Sequence, residues 1–279
     1  MRLNAVAASV LALVVAAGSA QAETPRRIAS FNLCADQLVV ALADPEQIAG
    51  LSPYAGDPGS SVIAEKAKAF RRLPLQAEAL VPLKPDLVLV GSWDRPLTQR
   101  LLRSLGFRVV RVDVASGLPE ARRQIREVAA LLGHPERGET LIAAIDAAQA
   151  RLKAAPRPAS STALLIGNNG YTVGPDSLAA ALMAEAGLAA PPGAPGGYGG
   201  YVPLEKLIEL KPDYLVVSSL IEEPQGQGAM YVTHPALRAL YPPEKRIVLP
   251  ARYTLCAGPS LVPAFDHLAG VMAKLAGKR

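Results

Sequence analysis

Two segments of this chain overlay without a gap: Glu78-Ala-Leu-Val-Pro-Leu-Lys-Pro-Asp-Leu-Val-Leu-Val90 and Glu205-Lys-Leu-Ile-Glu-Leu-Lys-Pro-Asp-Tyr-Leu-Val-Val217, identical at seven of thirteen positions. Each reads as a short helical stretch with a glutamate near its start, where a carboxylate meets the positive end of the helix dipole. A Lys-Pro-Asp turn then ends the helix, because proline cannot continue it, and an apolar strand follows. Two widely spaced copies of one supersecondary unit imply two lobes that are variations on one design. The proline and aspartate of the turn read as helix-ending electrostatics. Glu78 and Glu205 are left as candidates for function.

The rest of the chain alternates short apolar runs with longer amphipathic stretches, the pattern of an α/β fold with mainly parallel sheets. Strands are expected at 27–31, 48–52, 87–90 and 108–112, and again at 162–166, 214–218 and 246–249. Helices are expected at 35–43, 62–70, 97–105 and 119–132, then at 178–186, 204–210 and 261–275. Between the two sets, residues 136–156 hold an Ala-rich stretch without Gly or Pro from Glu139 to Ala155. A helix there would span roughly 25 Å at 1.5 Å per residue, enough to join two lobes stiffly. The expected organisation is a signal peptide at 1–22, one α/β lobe at 23–135, a connecting helix at 136–156 and a second α/β lobe at 157–279.

The signal-peptide reading rests on Arg2, the apolar run Val6–Ala17 and the small-x-small triplet Ala20-Gln21-Ala22. Cleavage would leave Glu23 first, with no cysteine there to carry a lipid anchor, so a free periplasmic protein is expected. The net charge is only +5, with no Lys/Arg block. Nucleic-acid recognition, which needs a concentrated basic stripe, is excluded as an expectation.

Several segments together resemble the periplasmic binding proteins for ferric siderophores, haem and cobalamin: Arg27-Ile-Ala-Ser30, Asp44-Pro-Glu-Gln-Ile-Ala-Gly-Leu-Ser52, Leu101-Leu-Arg-Ser-Leu-Gly-Phe-Arg-Val-Val110 and both repeat copies. The resemblance implies two lobes joined by one long helix, with no chemistry performed on the ligand. It implies capture of an iron chelate or a corrinoid such as cobalamin, with haem as an alternative, and delivery to an inner-membrane ABC permease dimer. It also implies that Glu78 and Glu205 dock into the two halves of that permease. A monomer without resident cofactor is expected.

In open α/β sheets ligands gather beyond the carboxyl ends of strands. That rule selects Asn32–Asp36, Pro53-Tyr54 and Gly91–Arg95 in the first half. In the second it selects Gly167–Tyr171, Ser219-Leu220 and Ala251-Arg252-Tyr253. Trp93, the sole tryptophan, is the leading ligand contact because an aromatic face gives a large contact area at low entropic cost. Tyr54, Tyr171 and Tyr253 follow, with Arg252 and Arg95 as guanidinium forks for anionic oxygens. The Gly/Pro-rich segment 191–201 reads as a loop without one rigid shape, long enough for Tyr198 or Tyr201 to fold over a ligand.

Cys34 and Cys256, the only cysteines, depart from the family pattern. In an oxidising compartment a disulfide is the favoured reading, tethering the lobes. Metal-binding thiolates, free thiols and a thiol oxidoreductase or sensor role stand beside it. No Cys-x-x-Cys pair supports redox catalysis. His134, His234 and His267 have no metal-ligand spacing and read as structural, so no metal site is expected. Nor does a Gly-x-Ser-x-Gly elbow, a His-Glu-x-x-His helix or a phosphate loop support an enzyme.

Overall fold

The structure is a computed structural model that describes residues 23–158, 161–218 and 230–277. The expected signal peptide and the pair Ser219-Leu220 lie outside the described residues.

Two four-stranded parallel sheets carry the fold. The first contains β1 (Ile28–Ser30), β2 (Ile48–Gly50), β3 (Leu87–Gly91) and β4 (Val109–Val112) in the order β2-β1-β3-β4. The second contains β5 (Ser161–Leu165), β7 (Leu188–Ala189), β9 (Tyr214–Val217) and β10 (Arg246–Val248) in the order β10-β9-β5-β7. Counted in its own chain order, each sheet runs second, first, third, fourth, so the internal repeat in sequence is also a repeat in topology. In both repeats successive strand residues alternate between two cores, as period-2 geometry requires. Leu87 and Leu89 face one cluster while Val88 and Val90 face another, and Val216 is likewise separated from Leu215 and Val217.

Helices cover these sheets: α1 (Leu33–Leu42), α2 (Ala64–Ala67), α3 (Pro96–Ser104) and α4 (Leu118–Leu131) in the first half. The second half has α6 (Leu178–Glu185), α7 (Leu204–Leu210), α8 (Pro235–Leu240), α9 (Ala251–Thr254) and α10 (Leu261–Ala276). Between the halves runs α5 (Pro135–Ala154), 20 residues or about 30 Å long. It packs on α4 and α10, and its Ile142, Ile145 and Leu152 join a core cluster that also holds Leu87 of the first sheet and Ile247 of the second. Arg126 pairs with Glu139 at 2.7 Å on the α4 side and Arg151 with Asp266 at 2.9 Å on the α10 side. The connector is therefore held along its length by both halves.

Three local expectations change. The stretch 62–70 keeps only one α-turn, α2, and the first repeat copy opens with a 3-10 turn, Ala77–Leu80, where the second has an α-helix. The segment 191–201 is not shapeless at its end: β8 (Gly199–Tyr201) pairs antiparallel with β6 (Tyr171–Val173). Gly199 makes this possible, having φ +119 and an approach to Thr172 O that a Cβ would close to 2.1 Å.

The Lys-Pro-Asp turns also do more than end helices. Lys84 and Lys211 both take φ 44, and each amide bonds back to a leucine carbonyl, Leu80 O at 3.0 Å and Leu207 O at 3.1 Å. Asp86 accepts from the amides of Arg26 (2.7 Å) and Arg27 (3.0 Å), holding the chain entering β1. Asp213 accepts from the amide of Thr162 (2.7 Å) in β5. The aspartates are clamps on the neighbouring strand.

Candidate functional site

The carboxyl ends of the two sheets meet at a covalent bond. Cys34 opens α1 just beyond β1, and Cys256 follows α9 beyond β10. Their sulfurs are bonded, with Cα atoms 5.1 Å apart and a sequence separation of 222. Asn32 caps α1, its Oδ1 accepting from the Cys34 amide at 2.9 Å. Beside the bond, Arg252 donates from Nη1 to Pro58 O at 3.4 Å, a second link between the halves.

Beyond β1 and β3 lies a cavity of about 410 Å³. Phe31, Tyr54, Trp93, Arg95 and Gln99 are among its lining residues. The turn carrying Trp93 is fixed from three sides. Asp94 accepts the Gly91 amide at 2.5 Å and the Asn32 amide nitrogen at 3.3 Å, and Gln99 donates to the carbonyls of Gly91 and Asp94, both at 3.1 Å. Gly91 is required here, because a Cβ would sit 2.2 Å from Asn32 Nδ2. With its backbone so tied, the turn holds Trp93 out at 86% exposure instead of burying it. Asp94 is thus committed to structure, whereas Arg95 is exposed and has no ion-pair partner among the described residues.

The second half contributes an aromatic ribbon. The amide of Gly167, beyond β5, bonds to Tyr171 O at 2.6 Å and starts the β6–β8 ribbon. Tyr171 and Tyr201 meet edge to face at 5.4 Å, and the Tyr171 hydroxyl reaches Tyr198 O at 3.4 Å. Tyr198 itself is 77% exposed. Tyr201, which strand-end reasoning places only in a loop, belongs to this cluster because it faces Tyr171 across the ribbon.

Sequence-selected residues therefore fall into three groups. Tyr54, Trp93 and Arg95 share the cavity. Tyr171 and Tyr198 share the ribbon and do not line that cavity. Arg252 and Tyr253 are engaged in packing: the guanidinium lies 5.0 Å over the Tyr253 ring, and that ring leans on His267 at 5.6 Å. A buried carboxylate stands in α1 two residues after Cys34. Asp36 is fully buried, accepts from the Ser52 amide at 3.1 Å and the Ser52 hydroxyl at 2.5 Å, and is pushed up to about 6 by desolvation. Ser30, Ser52 and Arg72 oppose that rise only in part.

Each histidine has a local partner. His134 lies 3.3 Å from Asp44, His234 Nδ1 accepts the Ala236 amide at 3.2 Å at the start of α8, and His267 Nε2 bonds Val248 O at 2.7 Å. Among the described residues no group of His, Cys, Asp and Glu side chains is arranged to hold a metal ion. No helix of the described residues is long and apolar enough to cross a membrane.

This architecture has close counterparts among solved structures. The periplasmic heme-binding protein BhuT, solved in complex with two hemes, superimposes with a TM-score of 0.68 at 23% identity, covering 90% of this chain and 100% of its own. The periplasmic vitamin B12 binding protein BtuF of Vibrio cholerae matches at 0.68 and 17% identity, covering 91% of this chain and 99% of that one. An ABC-type Fe3+-hydroxamate transport system protein from Saccharomonospora viridis matches at 0.63 and 19%, covering 89% and 93%. No curated protein matches the sequence. The family model for periplasmic binding protein matches residues 28–238, and with two parallel sheets bridged by one helix the chain belongs to that family.

Proposed function

We propose that this protein is a periplasmic receptor that captures an iron chelate or a corrinoid at the carboxyl ends of its two sheets and delivers it to an inner-membrane ABC importer. It makes and breaks no bonds in its ligand, works as a monomer and is exported by a cleaved signal peptide. The observation that carries the reading is the Trp93 platform. A turn anchored to Asn32 and Gln99 holds a large aromatic face exposed at the edge of a 410 Å³ cavity, a cost in apolar exposure that ligand contact would offset. Solved structures of the same fold bind haem and vitamin B12, and one belongs to a hydroxamate-iron transport system, which supports the ligand class.

Within that class the side chains favour a broad, flat ligand with few negative charges. Arg252 is occupied by Pro58 O and Tyr253, leaving Arg95 as the cation of the cavity, whereas a polyanionic siderophore calls for several. Corrinoid chemistry meets this description. Haem is the second reading, favoured by the exposed phenols Tyr198 and Tyr201, either of which offers an oxygen ligand to iron.

Titrating the sole tryptophan's fluorescence with cobalamin, haemin and a ferric hydroxamate separates these readings. Saturable quenching by cobalamin at micromolar concentration is the expected result, haemin alone would support the second, and no response to any of them removes the ligand class. Docking through Glu78 and Glu205 is tested by E78A/E205A, expected to abolish importer-coupled uptake while ligand binding persists.

A further inference from the structure

The repeat leaves a second matched pair on the surface besides its glutamates. Val81 and Ile208 occupy equivalent positions, three residues after Glu78 and Glu205, and are 51% and 41% exposed. Residues three apart lie on one face of a 3-10 or α-helical turn, so each lobe presents a carboxylate and a β-branched aliphatic side by side.

Single exposed aliphatics are common and call for no explanation. Here the repeat supplies a control. Of the exposed positions shared by both copies, Lys84 and Lys211 carry the left-handed turn, and Asp86 and Asp213 clamp the neighbouring strand. Pro82 and Glu209 have diverged in character. Only the acid and the aliphatic are alike in both lobes without a clamp, a turn or a side-chain bond to make: each acid sits in the first turn of its helical segment, where any acid would serve the helix dipole equally, and its carboxylate is left exposed. Glu78 and Glu205 have no ion-pair partner among the described residues, and the aliphatics contribute to none of the core clusters.

Resting on the docking role proposed for the glutamates, we infer that the contact in each lobe is this two-part unit, with Val81 and Ile208 seating in an apolar cup beside the cation that receives the acid. The partner is a protein with two copies of one such site. Two like units on lobes of one topology, held by α5 and by the Cys34–Cys256 bond, match a two-fold partner and no single groove. Anionic lipid headgroups would repel the carboxylates. An unpaired acid supplies orientation and encounter rate, and the desolvated aliphatic beside it supplies residence time.

The test measures affinity of the ligand-loaded receptor for the importer whose uptake it supports, held in lipid nanodiscs, for wild type, V81S, I208S, V81S/I208S and E78A/E205A. Each single serine variant is expected to weaken binding about tenfold through faster dissociation, and the double variant more, with ligand affinity and thermal midpoint unchanged. Loss of binding in E78A/E205A with V81S/I208S at wild-type affinity overturns the aliphatic contact and leaves the glutamate docking standing. Wild-type affinity in every variant overturns both. Binding of wild type to protein-free vesicles of phosphatidylglycerol that V81S/I208S loses, or a wild-type dimer in sedimentation that it dissolves, also overturns the inference, since the aliphatics then serve a membrane or a second copy.

Discussion

Asp86 and Asp213 hold the first strands of their sheets in the same way: each stands at the start of a third strand and accepts backbone N–H groups where the neighbouring first strand begins. Asp213 adds the Thr162 hydroxyl at 2.9 Å, and the Thr162 Oγ1 in turn accepts the Asp213 amide at 3.0 Å. Parallel strands cannot be registered by a hairpin, so a fixed side-chain clamp between sequence-distant segments contributes to the register.

The first prediction follows from those clamps. D86A and D213A should each cost about 1–2 kcal/mol, because charge-assisted hydrogen bonds to backbone amides are lost at sites that water can partly refill. The losses should add in the double variant, since the clamps serve different sheets. Urea denaturation of the four proteins measures this, and a single-variant loss within error of zero contradicts it.

The disulfide sets a second expectation. A closed loop of 222 residues corresponds, in the chain-entropy model, to stabilisation on the order of 5 kcal/mol. C34S/C256S should unfold at markedly lower temperature, and the native wild-type protein should take up no alkylating label by mass until it is reduced. Two labels without reductant would show the thiols free.

Trp93 is expected to emit as a water-exposed indole in the free protein and to be strongly quenched by acrylamide, and ligand should suppress that quenching. W93A should weaken ligand binding at least tenfold, about 1.4 kcal/mol or more, with little change in stability, because the anchored turn, not the indole, carries the local structure. Calorimetric titration of W93A measures the loss without relying on fluorescence.

Asp36 makes a prediction about pH. Its carboxyl is raised to about 6 by burial, so the folded state holds this proton more tightly than the unfolded chain, where the value is near 3.8. Its contribution to stability is therefore fully present below the unfolded value and is lost as pH rises through about 6. Asp44, Asp57, Asp113 and Glu139, lowered by hydrogen bonds, act in the opposite sense at more acidic pH. The diagnostic is the difference between D36N and wild type: the variant should gain relative stability from pH 4 to pH 7, on the order of 3 kcal/mol at most, and then level off. A flat difference curve would place the Asp36 carboxyl at an ordinary value.

Much of the fold was legible because its signals are local. Apolar runs with Val, Ile and Leu mark β1, β3, β5 and β9, the break at Lys-Pro-Asp marks both helical turns, and the Gly- and Pro-free stretch before Pro156 marks α5. The strands β6 and β8 were not legible. They are three residues each, rich in glycine at one edge, and exist through pairing with one another across the segment that contains α6 and β7.

By itself the sequence determined that two like α/β units are joined by a stiff helix, since periodicity, helix-ending prolines and an in-register repeat are properties of neighbouring residues. It also singled out Glu78 and Glu205, matched in the repeat, and Trp93, the sole tryptophan at a strand end. Only the tertiary structure decided which strand-end residues share a site. Tyr54 and Trp93 meet at one cavity, whereas Tyr253 is taken up by His267 and Arg252 by Pro58 O. The same holds for the bond between Cys34 and Cys256, and for Val81 and Ile208 standing exposed at equivalent places. Proximity between residues far apart in the chain depends on how sheets and helices pack, and packing sums many weak contacts that no single stretch of sequence contains.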